Sequence, residues 1–226
     1  MFRDVPLVVL IVTVCSYWAT VLLLALNQRL RHGRSAGMLP KRSYERRLWL
    51  LILPVITAWI VLPILAGNSR LPWLTQPARA LAPSWVFSLR AVAAAAAVAC
   101  YLLSVYCWLL MGRDWSMAIV PRQTSQLVTA GLYRWVRHPI YSLQMALMAA
   151  SVVVVPTVFM ALTACLHLVA MNRKARYEER YLGRTFGPSY QEYCRRVGRF
   201  WPRLVNKDDI QIASAKRFTS ADRPSE

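Results

Sequence analysis

Uncharged residues run together in long stretches along this chain, and the charges collect in blocks between them instead of spreading along faces. Residues 5–26 form 22 positions without a charge, 48–66 form 19, 91–111 form 21 and 140–171 form 32. A helix needs about 20 apolar residues to cross a bilayer core, so each of the first three runs suffices for one span. The fourth is too long for one. As a straight helix it would reach about 48 Å against a core of roughly 30 Å. Folding it back near Pro156, whose ring removes a backbone donor and crowds the preceding turn, gives two short arms of about 16 residues each. The pattern predicts an all-α, polytopic integral membrane protein of about five transmembrane helices. The last two form a short helical hairpin, and cytoplasmic helices follow it.

The composition agrees, with 57% of the residues hydrophobic. A formal net charge of +18 would point to nucleic acid in a soluble protein, but here the distribution of the charge accounts for it. Seven Lys or Arg lie in residues 27–47, four in 112–138 and thirteen after Met171, whereas 67–83 holds only Arg70 and Arg79. Loops rich in Lys and Arg stay cytoplasmic, which predicts the N-terminus outside, the C-terminus inside and no nucleic-acid partner. The first run continues into a polar loop without a small-residue cleavage pattern and reads as a retained span. Five cysteines with no CxxC pair read as buried small hydrophobes, and no metal site is expected. His167, deep in an apolar run, reads as a core imidazole. The tryptophans read mostly as interfacial anchors near span ends. The alanine-rich stretch 91–100 offers small residues for close helix packing.

If the fourth run doubles back, the polar stretches flanking it meet. "YRWVRHP" then faces "NRKARYEERYLGRTFGPSYQEYCRRV". Pro139 suits the first position of a helix and pushes His138 out of helical geometry. Arg137 and His138 would sit before a helix N-terminus that favours an anion. Glu178 and Glu179 begin a stretch with Leu182 and Phe186 at helical spacing; Gly187 and Pro188 interrupt it; Tyr190, Tyr193 and Val197 line the next helix. Two other readings stand beside this one. The glutamates could pair with Arg173, Lys174 or Arg176 on a solvated surface, and Arg137 with His138 could anchor headgroup phosphates.

"LVTAGLYRWVRHPIY", followed about 40 residues later by "EERYLGRTFGPSYQEYCRRVGRFWP", resembles the isoprenylcysteine carboxyl methyltransferase and phospholipid methyltransferase superfamily. Its pattern runs LVTxGxYxxxRHPxY, EExxL and FGxxYxxYxxxV with a later Pro, and the likeness covers residues 127–202. The resemblance implies a membrane enzyme that binds S-adenosylmethionine on the cytoplasmic side and methylates a lipid or lipidated acceptor. By position, Leu127, Val128, Gly131 and Tyr133 would line the cofactor pocket. His138, Pro139 and Tyr141 would hold its sugar and amino-acid part, Glu178 and Glu179 would lie near it, and Arg137 would face the acceptor. Arg137, Glu178 and Glu179 are the catalytic candidates. Ser125 and Leu143 stand where family members carry His and Gly, which predicts one weaker cofactor contact at Ser125 and a pocket reshaped by Leu143.

The organisation expected is three spans over 1–111, a catalytic core over 112–205 containing the hairpin 140–171, and a polar, disordered tail over 206–226. The leading functional expectation is carboxyl O-methylation of an isoprenylcysteine-like lipid. Ethanolamine N-methylation, an NADPH-dependent reductase of sterol-reductase type and a non-catalytic membrane scaffold are the alternatives.

Overall fold

A computed structural model describes residues 4–32, 43–67, 83–112 and 127–203. Ser125 and the expected tail lie outside them. The described residues form six α-helices: α1 (Val5–His32), α2 (Ser43–Ala66), α3 (Ser84–Met111), α4 (Pro139–Val154), α5 (Val158–Phe186) and α6 (Pro188–Arg196), with a 3-10 turn at Gly131–Arg134. Three stretches are long and apolar enough to cross a membrane, Val5–Leu30, Arg46–Ala66 and Ser84–Met111.

The long fourth run does break at Pro156. The chain leaves α4 at Val154, turns through residues 155–157 and enters α5, where Thr157 caps the first turn by accepting from the Met160 amide at 3.2 Å. At 16 residues, α4 is about 24 Å long, short of a full crossing. It packs against α3 on one side and α5 on the other, while α2 packs on α5 and α1 on α3. Ala93, Ala94 and Ala97 are buried on α3, where small side chains let neighbouring backbones approach.

Aromatic rings fill the core between these helices. The Tyr17 ring lies 5.1 Å from Trp108 and 6.5 Å from Trp59, and His167 lies 5.1 Å from Trp59 on the other helix pair. Trp59 and Trp108 are therefore core residues rather than interfacial anchors. The Trp59 indole donates to Ser151 Oγ at 2.9 Å, which satisfies a buried N–H across two helices.

A buried ion pair sits inside this apolar packing. The run counted from residue 91 begins earlier in space, because α3 starts at Ser84 and buries Arg90. Arg90 Nη2 lies 2.7 Å from Asp4 Oδ2, and its Nε donates to the Val154 carbonyl at 3.1 Å. Asp4 in turn accepts from the Leu7 amide at the start of α1. The ion pair thus ties the first helix to the tip of the hairpin.

Candidate active site

The hairpin's open end gathers the polar residues. Before it, the chain turns at Gly131, whose φ of +60° disfavours any side chain, and a Cβ there would meet Leu110 Cδ2 at 2.8 Å. This turn sets Tyr133 against α3, with its hydroxyl 2.9 Å from Met111 Sδ. His138 then adopts φ −125° and ψ 63°, outside helical geometry, and Pro139 opens α4.

The segment after α6 docks onto this corner through its backbone. Val136 and Gly198 form a parallel bridge. The Arg137 amide donates to the Gly198 carbonyl at 2.8 Å, the His138 amide to the Arg199 carbonyl at 3.1 Å, and Ser142 Oγ to the Phe200 carbonyl at 2.8 Å. Gly198 is required by close approach, since a Cβ there would fall 1.9 Å from the Trp201 carbonyl oxygen. Three consecutive carbonyls, at residues 198 to 200, are thereby fixed against the Arg-His-Pro corner.

The two adjacent glutamates have different surroundings. Glu179 is enclosed by cations. Its Oε1 accepts from Arg137 Nε at 3.1 Å and Nη2 at 2.9 Å, and Arg199 reaches it with Nε at 3.0 Å from both oxygens and with Nη2 on Oε2. Burial alone would raise this carboxyl's pKa. The contacts from His138, Arg199 and Arg137 outweigh it and hold the group well below the usual carboxylate range. Arg137 also donates through Nη1 to the carbonyls of Cys194 at 3.2 Å and of Val197, so it closes the last turn of α6.

Glu178 faces a different set. Its Oε1 accepts from the Tyr141 hydroxyl, and its Oε2 lies 3.7 Å from His138 Nδ1 without a hydrogen bond among the described residues. The Tyr141 ring stacks on His138 with centroids 5.4 Å apart and planes 7° from parallel, while Lys174 Nζ lies 5.1 Å from the ring centroid. His138 Nε2 is buried, lies 3.4 Å from Glu179 Oε1 and makes no hydrogen bond among the described residues.

The structure brings Arg137, His138, Pro139, Tyr141, Glu178 and Glu179 together. Tyr133 is joined to the same unit through the Tyr193 hydroxyl, which donates to its carbonyl at 2.6 Å. Leu127 packs on the cluster of Tyr190, Tyr193 and Val197, and Val128 is half-buried beside it in the chain. Gly131 turns toward Leu110 and Tyr106. Leu143 is half-buried on α4. The local pairing weighed for the glutamates with Arg173, Lys174 or Arg176 does not describe Glu179, whose partners come from before α4 and after α6. Arg137, expected to face an acceptor, has its Nε and both terminal nitrogens on protein partners. Arg199 was not anticipated. The only signal for it was an arginine between Val197 and the later Pro202. Among the described residues no three His, Cys, Asp or Glu gather in a metal-binding arrangement.

Residues 92–184 match the profile of the Isoprenylcysteine carboxyl methyltransferase (ICMT) family. The match runs from α3 through both glutamates on α5 and ends before α6 and the docked Gly198–Arg199 segment. The Cobalt-zinc-cadmium resistance protein CzcN of Cupriavidus metallidurans is 37% identical over 101 residues, covering 42% of this chain and 44% of that protein. The chain therefore aligns with less than half the length of this relative. No solved structure matches. The matched segment, less than half of the chain, encloses the Arg-His-Pro corner and the paired glutamates, and over that segment this chain is similar to the isoprenylcysteine carboxyl methyltransferase family.

Proposed function

We propose that this protein is an S-adenosylmethionine-dependent methyltransferase that works at the cytoplasmic face of a membrane on a lipid-borne carboxylate of the prenylcysteine type. The observation that carries this reading is the position of Tyr141. It bonds Glu178 and stacks on His138, and it also packs on the apolar cluster of Leu48, Ile52, Ala170 and Met171 from α2 and α5. A polar centre that shares a wall with lipid-facing helices suits an acceptor with a reactive head and a hydrophobic tail.

The chemistry of the donor set fits the cofactor. S-adenosylmethionine carries an ammonium, a carboxylate and ribose hydroxyls, and Glu178 offers a carboxylate oxygen with no hydrogen-bond donor among the described residues. Leu127, Val128, Gly131, Tyr133, His138, Pro139, Tyr141 and Glu178 would hold it. When bound, it supplies an electrophilic methyl group on a sulfonium.

The protein's share is then alignment and exclusion of water. An acceptor carboxylate is ionised at neutral pH and needs no base. Holding its oxygen in line with the methyl supplies much of the rate. Glu179 and Arg137 act as positioning residues in this scheme, since their polar atoms hold one another and the end of α6.

The test uses purified protein in detergent. Calorimetric titration should show S-adenosylmethionine binding, and labelled cofactor should transfer its methyl group into a membrane lipid extract. Mild base should release that label as methanol, as expected for a methyl ester. A base-stable label would move the reading to an amine acceptor. A folded protein that binds no S-adenosylmethionine and instead oxidises NADPH would overturn it.

A further inference from the structure

We propose that Arg199 is a specificity-determining residue whose free guanidinium edge holds the carboxylate or phosphate of a bound ligand. The proposal rests on the methyltransferase reading for the identity of that ligand, and on hydrogen-bond accounting for the site itself.

A guanidinium carries five N–H donors. Arg137 directs four of them to protein acceptors: Nε and Nη2 to Glu179, and Nη1 to the carbonyls of Cys194 and Val197. Little of its fork remains for a ligand. Arg199 directs only Nε and one Nη2 hydrogen, both to Glu179. Its Nη1 group and second Nη2 hydrogen have no partner among the described residues, and its side chain remains 33% exposed. These free donors form the outer edge of the fork, the geometry that receives a carboxylate or phosphate through two parallel bonds.

Two further features make this edge a prepared site instead of a solvated surface arginine. Its backbone is pinned on both sides, since the Arg199 carbonyl accepts from His138 and the carbonyls of Gly198 and Phe200 accept from Arg137 and Ser142. Its inner edge is clamped on Glu179, which removes most of the rotamer freedom that an anion would otherwise have to freeze. Charge also favours an anion, because Arg137 and Arg199 together bring two positive charges to the single negative charge of Glu179.

The anion has two possible sources, the amino-acid carboxylate of S-adenosylmethionine and the head of the lipid acceptor. Arg199→Lys separates them, because lysine keeps a cation for Glu179 but loses the second edge of the fork. Helix content and a cooperative melt in detergent confirm folding first. Two ligand pairs are then titrated: S-adenosylmethionine against 5′-methylthioadenosine, which lacks the amino-acid portion, and N-acetyl-S-farnesylcysteine against its methyl ester. Wild type should prefer the carboxylate-bearing member of at least one pair by tenfold or more, and R199K should lose that preference while binding the member without the carboxylate unchanged. Loss in the first pair assigns the edge to the cofactor, and loss in the second assigns it to the acceptor. If wild type shows no preference in either pair, or R199K keeps the wild-type preference, the proposal is overturned. A wild type that binds neither S-adenosylmethionine nor 5′-methylthioadenosine removes the methyltransferase reading, while the acid and ester pair still decides the role of Arg199.

Discussion

The Tyr193 hydroxyl donates to the backbone carbonyl of Tyr133 at 2.6 Å, so the residue two positions after the 3-10 turn's glycine is bonded directly to the last helix of the described chain. Both residues are buried. The segments before and after the hairpin therefore form one unit on one side of it, and this contact is a measure of how firmly they are joined.

Tyr193→Phe leaves the Tyr133 carbonyl without this donor. A buried acceptor so exposed costs about 1–3 kcal/mol, read as a lower melting midpoint in detergent. The alkaline limb should change as well. Burial pushes the Tyr193 hydroxyl up to about 12 against an ordinary 10.0, with Arg137 lowering it and Cys194 raising it by smaller amounts. A raised value in the fold favours the protonated form, so this contribution is complete below pH 10 and disappears as pH climbs through 12. The difference in stability between wild type and Y193F should shrink across that window; a constant difference would show that the bond does not carry it.

Glu178 and Glu179 should respond unequally to the same substitution. Glu179→Gln strips the carboxylate from two guanidiniums at once and should cost about 3–5 kcal/mol. Glu178→Gln keeps an acceptor for Tyr141 and should cost less than about 1 kcal/mol. It should still depress cofactor affinity, because no charge then remains for an ammonium. The acid limb gives a second comparison. The folded value of Glu179 is depressed, so its contribution is present above the ordinary 4.5 and is lost as pH falls below it. Urea titrations between pH 6 and 3 should show that loss in wild type and E178Q but not in E179Q.

The pair of glutamates also shows what could be read in advance. The fold-back at Pro156 was legible because a 32-residue uncharged run contradicts the bilayer's thickness and a proline offers the break. The meeting of Arg137 with Glu179 followed from that. What escaped was everything decided by residues close in space with no periodicity to mark them. Arg199 reaches Glu179 only because Val136 and Gly198 form an isolated bridge, and no helical spacing signals such a contact. Trp59 looked interfacial because tryptophan often is, yet its indole finds Ser151 inside the bundle. Arg90 looked like the flank of a span because charges usually bound one. Its partner Asp4 lies in a different helix start, out of reach of any local pattern.

Gly131→Ala tests whether the turn before the corner is set by backbone geometry. The φ of +60° disfavours a side chain, and the new Cβ would sit 2.8 Å from Leu110 Cδ2. The loss should exceed about 1 kcal/mol. Adding Leu110→Ala removes the closest clash but leaves the 3.1 Å approach to the Tyr106 hydroxyl and the backbone strain. The double variant, compared with Leu110→Ala alone, should recover only part of the stability lost by Gly131→Ala. Full recovery would assign the glycine to packing alone.

The buried pair of Asp4 and Arg90 allows the sharpest stability test, because each half is costly without the other. Arg90→Met strips the buried Asp4 carboxylate of its 2.7 Å ion pair, and should destabilise by about 3–5 kcal/mol. Asp4→Asn preserves an oxygen that can cap α1 by accepting from the Leu7 amide, while removing the charge. The double variant Asp4→Asn with Arg90→Met removes both charges of this pair together. The Val154 carbonyl loses its bond from Arg90 Nε, at a cost of about 1 kcal/mol. The double variant should lie within about 1–2 kcal/mol of wild type, far less than the sum of the single losses. Melts of all four proteins in one detergent close the cycle. Strict additivity would mean that the pair does not hold the first helix to the hairpin tip as a unit.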